Sequence, residues 1–409
     1  MRPYGDAVKS PGRRRATDSR AVLLLAAATG LTGCGGTDGK ATQLAANPVP
    51  IATSAPSASP SASPSASPGS GPSAQGAPVR MAPGEKPPQF VVVSFDGGGS
   101  LESWRFWREL AKRLDVTMTF FLSGTYLLPD EKADLYDPPQ HARGSSDVGF
   151  SDAPEVLPRV EEVRQAYLEG HEIGTHFNGH FCGPKGIELW SSADWTSELT
   201  QFYAFLKDWP ANAGAPAAEP LPFGPEVIIG ERTPCLEGKR SALLPVLKEN
   251  GFRYDTSGLG DLQWPRKFDN GMWNIPLQEL QMARSKQTVL SMDWNFYDQQ
   301  SHAEHAPAER HAELRRQMLD TYKNAHAALK AGNRAPLILG SHFARWNDGI
   351  YADALADFIT DACIQPETRC VSFRQLVDWL DAQSPEVLAT WQGKGVQVMP
   401  RQEQGAGSR

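Results

Sequence analysis

Residues 91–99 read VVVSFDGGG. No other stretch constrains the fold as strongly. Three consecutive valines between Phe90 and Phe95 make an apolar run that is short and β-branched, which predicts a strand buried on both faces. The run ends at a lone carboxylate, Asp96, followed by three glycines. Residues 103–114 then set Trp104, Phe106, Trp107, Leu110, Ala111 and Leu114 at helical spacing, and VTMTFFLSG at 116–124 reads as a second strand. Strand, helix, strand predicts a parallel pair with a crossover.

The alternation continues along the chain. PEVLPRVEEVRQAYLEG predicts a helix ending at Gly170, HEIGTH a short strand or turn, and EVIIGERTP a strand with a polar end. ALLPVLKENGFRYDTS predicts a helix, a glycine cap and a strand; NIPLQEL and QTVLSMDWNF predict two more strands. A long amphipathic helix spans 312–332, APLILGSHF is a strand, and SFRQLVDWLDAQ is the final helix. Residues 125–155 and 209–225 read as irregular, within insertions at 125–165 and 182–225. Such alternation predicts an α/β barrel whose site lies at the C-terminal strand ends. The polar residues at those ends are Asp96, His176, Arg232, Asp293 and His342. A phosphate-binding loop at the glycines is excluded, because no Lys follows and the G-x-G-x-x-G spacing is absent.

The N-terminal region has a different character. Arg13, Arg14, Arg15 and Arg20 precede an apolar run at 21–31 that is short for a membrane span, and LTGC follows at 31–34. This resembles a bacterial lipoprotein signal, with 1–33 removed and Cys34 lipidated; a plain secretory signal cut elsewhere is the alternative. Residues 34–87 are a Ser/Ala/Pro linker predicted to be disordered, able to hold a domain on the order of 100 Å from a membrane surface. A catalytic domain over 88–400 and a disordered tail over 401–409 complete the expected organisation. The predicted location is extracytoplasmic, on the cell membrane through Cys34. The net charge is −7, and beyond residue 33 there are 34 basic against 45 acidic residues with no basic cluster, which argues against nucleic acid as a partner. A monomer is expected. Outside the cytoplasm the four remaining cysteines predict two disulfides, Cys363–Cys370 and Cys182–Cys235; a thiolate metal site lacks the C-x-x-C spacing that would support it.

HEIGTHFNGH at 171–180 sets His176 and His180 four residues apart, one helical turn, which is metal-ligand spacing. EGHEIGTHFNGH resembles the second motif of the polysaccharide deacetylase family, the NodB-homology domain of carbohydrate esterase family 4. His176 and His180 fall on its metal-ligand positions, and His171 on a histidine read as structural. Phe177 stands where Ser or Thr is usual. VVVSFDGGG with TMTFFLSG resembles the opening T-F-D-D-G and its A-T-F-F strand, which makes Asp96 the catalytic base. ERTPC resembles R-x-P-[YF], with Arg232 orienting the base and Cys235 in place of the aromatic. LILGSHF resembles the closing L-x-H motif, with His342 as general acid and Gly340 in place of the leucine.

The resemblance covers roughly 88–383 and implies a distorted (β/α) barrel of the NodB type. It implies a divalent metal, zinc, and hydrolysis of N- or O-acetyl groups on a cell-surface glycan such as peptidoglycan, a chitin-like polymer or an exopolysaccharide. One departure bears on chemistry. The family's second aspartate, its third protein ligand to the metal, is Gly97 here. Asp293, read as lying on a later strand, either tunes His342 or replaces the missing ligand. The alternative function is a catalytically impaired glycan-binding lipoprotein on the same fold. Trp294, Trp346 and Tyr351 sit near strand ends, where they suit either packing or stacking on sugars.

Overall fold

In this computed structural model, which describes residues 78–399 except residue 286, the valine run forms β1 (Gln89–Gly97), buried from Gln89 to Asp96. The signal segment, Cys34, residues 34–77 of the linker and the tail at 401–409 lie outside the described residues. Ser100 caps α1 (Leu101–Leu114), its side chain accepting from Ser103 N. The helix lays Trp104 and Trp107 on the sheet, 4.5 Å from Phe120 and 4.6 Å from Phe95 between ring centres. Truncating either indole to Ala would cost about 3–5 kcal/mol.

β2 (Thr119–Leu122), α2 (Ala153–Leu168), β3 (Glu172–Thr175), α3 (Ser192–Asn212), β4 (Gly230–Glu231), α4 (Arg240–Glu249) and β5 (Tyr254–Asp255) extend the alternation. Then come β6 (Leu259–Gly260), β7 (Arg266–Lys267), β8 (Trp273–Asn274), β9 (Leu277–Gln281) and β10 (Thr288–Leu290). The remainder is α5 (Asp293–Ser301), α6 (Ala308–Ala331), β11 (Leu337–His342), α7 (Ile350–Cys363), β12 (Thr368–Val371), α8 (Phe373–Asp381) and α9 (Pro385–Gln392).

The main sheet runs β11-β1-β2-β3-β4-β5-β8-β7, parallel except at β7, and β12 also pairs with β1. One edge of β1 is therefore divided: Gln89–Val92 pair with β12 and Ser94–Gly97 with β2. A three-stranded sheet, β10-β9-β6, stands beside β11. The two sheets are joined by a side chain: Gln278 of β9 accepts from Ile338 N at 3.0 Å and donates to Pro336 O at 2.9 Å. The architecture is thus a distorted (β/α) barrel, its seam closed by that amide and by one main-chain bridge, Gly340 N to Ser291 O at 2.8 Å, rather than by a continuous ladder.

Four helices were not expected, α3, α5, α7 and α9. α3 occupies nearly half of the insertion at 182–225; α7 and α9 lie in the last third of the chain, so α8 is not the final helix. Both expected disulfides are present, Cys182–Cys235 and Cys363–Cys370. Asp293 is not on a strand. The chain leaves β10, stays extended through Met292, and begins α5 at Asp293.

Candidate active site

Parallel register brings the first pair together. β1 and β11 run side by side so that Asp96 is the direct partner of His342 at their C-terminal ends. Asp96 is buried, and its Oδ1 accepts from Nη1 of Arg232 at 2.8 Å. The Arg232 guanidinium has no exposed surface; it also reaches the carbonyl and hydroxyl of Thr256 and lies 4.8 Å from the Phe121 ring centre. A guanidinium fixed this way pairs with the carboxylate and holds its direction.

His342 has a carboxylate of its own. Its Nδ1 is 2.6 Å from Asp293 Oδ1, while Asp293 Oδ2 accepts from Ser341 Oγ and His342 N, each at 2.8 Å. Asp293 Oδ1 also accepts from Trp294 N at 2.7 Å. With both oxygens engaged here, Asp293 is committed to His342 and is not available as a replacement metal ligand. Burial alone would pull the His342 imidazole down, but the charge and hydrogen bond of Asp293 and the charge of Asp96 outweigh it, and its pKa is raised.

The other two imidazoles are in the opposite state. His176 follows β3 directly and is 2% exposed. Its Nδ1 is 2.7 Å from the carbonyl oxygen of Arg232, which can only accept, so Nδ1 carries the proton. Nε2 is left as a buried lone pair with no hydrogen-bond partner. Burial, then the positive charges of His342 and Arg232, push the His176 pKa down to about 3. Burial followed by His176 and His342 does the same to His180, also to about 3. The two rings are 5.1 Å apart. Neutral imidazoles, one with a main-chain carbonyl fixing its tautomer and a buried unpartnered nitrogen opposite, are the donor set that a borderline divalent cation takes. The residues present therefore fit a metal such as zinc.

The spacing of these histidines does not arise from a helix. Residues 176–180 form a turn in which Phe177 (φ +59°) and His180 (φ +57°) are both left-handed. Non-glycine residues hold that conformation only where surrounding structure imposes it. The insertions do so here. Phe177 is buried against Trp195 of α3, ring centres 4.7 Å apart, which accounts for an aromatic where a small hydroxyl residue was expected. Glu198 of α3 accepts from Asn178 N at 2.9 Å and from Tyr136 Oη at 2.9 and 3.0 Å, and Tyr136 Oη in turn accepts from Gly179 N at 3.1 Å. The Cys182–Cys235 disulfide ties the end of the turn to the segment after Arg232. His180 Nδ1 lies 3.6 Å from Cys182 Sγ, but both sulfurs are bonded to each other and offer no thiolate. His171 has a purely internal bond, its Nδ1 accepting from Met118 N at 3.1 Å.

The chain matches no family model and no curated protein. Among solved structures it is similar to one from Mycobacterium smegmatis assigned as a polysaccharide deacetylase, at 14% identity and TM-score 0.46 over 80% of this chain and 99% of that one. It is similar to a CE4 family pseudoenzyme from Bacillus anthracis at 12% identity and TM-score 0.39, over 74% and 70% of the two chains. A family 4 carbohydrate esterase from Streptomyces lividans in complex with acetate matches at 13% identity and TM-score 0.33, over 69% and 91%.

Two departures from the expected motifs have local explanations. At Gly340 a Cβ would meet Met292 Cε at 2.7 Å and Leu277 Cδ2 at 3.2 Å, so the tip of the methionine takes part of the space the missing leucine would use. Gly97 has φ +100°, while a Cβ would sit an ordinary 3.6 Å from Tyr126. An aspartate at 97 is disfavoured by the backbone rather than by crowding. Trp294 and Tyr351 are buried, and Trp346 is half-buried. Sequence reasoning missed Tyr136, Glu198 and Ser341, which touch the site residues through hydrogen bonds between distant segments. Glu198 lies inside a legible helix, since Ser191 and Asp194 form a capping box ahead of apolar positions at Trp195, Leu199 and Phe202.

Proposed function

We propose that this chain is a metal-dependent deacetylase of the polysaccharide deacetylase family, removing N- or O-acetyl groups from a cell-surface polysaccharide. One observation carries the reading. An ionic pair, Asp96–Arg232, and a raised-pKa imidazole, His342 on Asp293, share one strand-end register, while His176 keeps a buried acceptor nitrogen beside His180.

A divalent ion such as zinc, held by His176 and His180, would polarise the acetyl carbonyl and acidify a bound water. Asp96, through the oxygen that Arg232 does not take, removes a proton from the attacking water as its oxygen bonds to the acetyl carbon. Arg232 keeps Asp96 aimed. The tetrahedral intermediate collapses by breaking the bond to the leaving nitrogen or oxygen. His342, with Nδ1 occupied by Asp293, gives that leaving atom its proton from Nε2. Asp293 keeps the imidazole protonated until that step and then orients the neutral ring.

The glycan substrate and anchorage to the outer face of the cell membrane through Cys34 complete the proposal. The sequence alone supports them. Gly97 favours a second reading, a glycan-binding lipoprotein that retains the fold without turnover, since the backbone there supplies no carboxylate. Acetate release by the purified chain from acetylated peptidoglycan fragments, chitin oligomers and acetylated exopolysaccharide, with zinc supplied, separates the two. Release that is abolished by His176→Ala supports the enzyme. Glycan binding without acetate supports the second reading.

A further inference from the structure

Beyond the site described above, His305, His311 and Asp348 also converge. One ring nitrogen from each histidine and a carboxylate oxygen lie within 4.8 Å of one another. We propose that these three residues form a second metal site, for zinc, which clasps the start of α6 and the segment before it to the turn after β11. It does not depend on the deacetylase reading.

The proton arrangement is the main argument. His311 Nε2 is 2.9 Å from the carbonyl oxygen of Ala306, which can only accept, so Nε2 carries the hydrogen. In the neutral ring Nδ1 is then a lone pair, and it lies 3.6 Å from Asp348 Oδ2. His305 Nε2 lies 3.8 Å from the same oxygen. These separations are too long for hydrogen bonds. Ligands about 2.0–2.2 Å from a tetrahedral ion sit about 3.4 Å from each other, close to what is seen. A histidine donating its far N–H to a main-chain carbonyl while its near nitrogen faces a carboxylate has the outer-sphere arrangement of a metal ligand. Two imidazoles and one carboxylate suit zinc better than a hard cation.

The backbone is shaped to present Asp348. Asn347 (φ 49°, ψ 51°) and Asp348 (φ 58°, ψ 24°) are consecutive left-handed residues. Asn347 is buried and holds the turn in place: Oδ1 accepts from Ala306 N at 2.8 Å and Nδ2 donates to Tyr351 Oη at 3.1 Å. The same turn carries Trp346, whose ring stacks on Tyr297 at 5.4 Å and meets His342 edge-on at 5.2 Å. A bound ion would thus stiffen the turn that flanks the proposed acid.

The test uses the purified chain, zinc alone as probe, and equilibrium dialysis at low-micromolar free zinc with thermal melts alongside. His176→Ala/His180→Ala removes the first site. The double variant is expected to retain one equivalent of zinc and a zinc-dependent rise in Tm, both lost on adding His305→Ala or Asp348→Asn. His305 is the safer probe of folding, because its side chain is mostly exposed, and Asn tolerates the left-handed backbone at 348. If the double variant fails to fold, the same loss of one equivalent is sought with His305→Ala alone in the otherwise unaltered chain. Zinc uptake unchanged by both His305→Ala and Asp348→Asn overturns the proposal, as does absence of zinc from a folded double variant. Loss that follows His176 and neither His305 nor Asp348 likewise overturns the second site, while leaving the first.

Discussion

The Asp96–His342 side of the site and the His176–His180 side are built by different means. The first rests on two long parallel strands in register, so hydrogen bonds that any sequence makes set the spacing of Asp96 and His342. The second hangs on a four-residue strand and a turn with two left-handed residues, kept in shape by a helix and loop from the insertions. Regular secondary structure delivers one half, and tertiary packing has to impose the other. Changes on the strand side should therefore alter chemistry with little change in fold, whereas changes on the turn side should alter fold and metal together.

The largest expected effect falls on the strand side. Asp96→Asn removes the proposed base while keeping its shape, and turnover should drop by about 10²–10⁴-fold with zinc content nearly unchanged, while Tm falls because Arg232 is left as a buried cation without its carboxylate. A comparable loss of zinc would break the contrast between the sides. Asp293→Asn should lower kcat less, and it should move the alkaline limb of the pH–rate profile to lower pH. The sign follows from the pairing: without the anion, the His342 imidazolium gives up its proton sooner.

On the turn side, Trp195→Ala should cost about 3–5 kcal/mol in denaturant unfolding and weaken zinc binding, because Phe177 loses the ring that holds it. Glu198 sharpens the comparison through pH. Burial raises its pKa to about 7 from an ordinary 4.5, so the folded state prefers the protonated acid. That contribution is fully present below 4.5 and is lost as pH rises through about 7. Glu198→Gln, close in shape to the protonated acid, should flatten unfolding free energy against pH across that window, by up to about 3 kcal/mol. A slope unchanged by the substitution would mean that Glu198 is not the group responsible. The smallest effect is expected for Ser341→Ala, which deletes one of the hydrogen bonds to Asp293 and should cost about 1 kcal/mol with no change in zinc content.

The same contrast governs what could be read in advance. β1, β2, β11 and the order of strands and helices were legible, because buried parallel strands are written as apolar runs and Asp96 and His342 sit where those runs stop. The proximity of His176 and His180 was legible as spacing, but not its cause. A helical turn was expected, and the structure has left-handed backbone that only distant residues can stabilise. α3 was overlooked although its capping box and apolar periodicity are in the sequence, because prolines and glycines beyond it gave the whole insertion an irregular look. Asp293 was misplaced because VLSMDWNF reads as a strand until the chain turns into α5. Asp348 shares no local pattern with His305 and His311, since a turn after β11 brings it to them.

Arg232 meets the two sides of the site with different parts of itself. Its guanidinium holds Asp96, and its main-chain carbonyl orients His176. Mutation can reach the first contact and cannot delete the second, because every amino acid brings a carbonyl. A lineage carrying this barrel could therefore lose, retune or regain the hold on Asp96 at position 232 while the His176 imidazole stayed aimed. Of two functions that meet in one residue, inheritance exposes one to selection and keeps the other in the backbone.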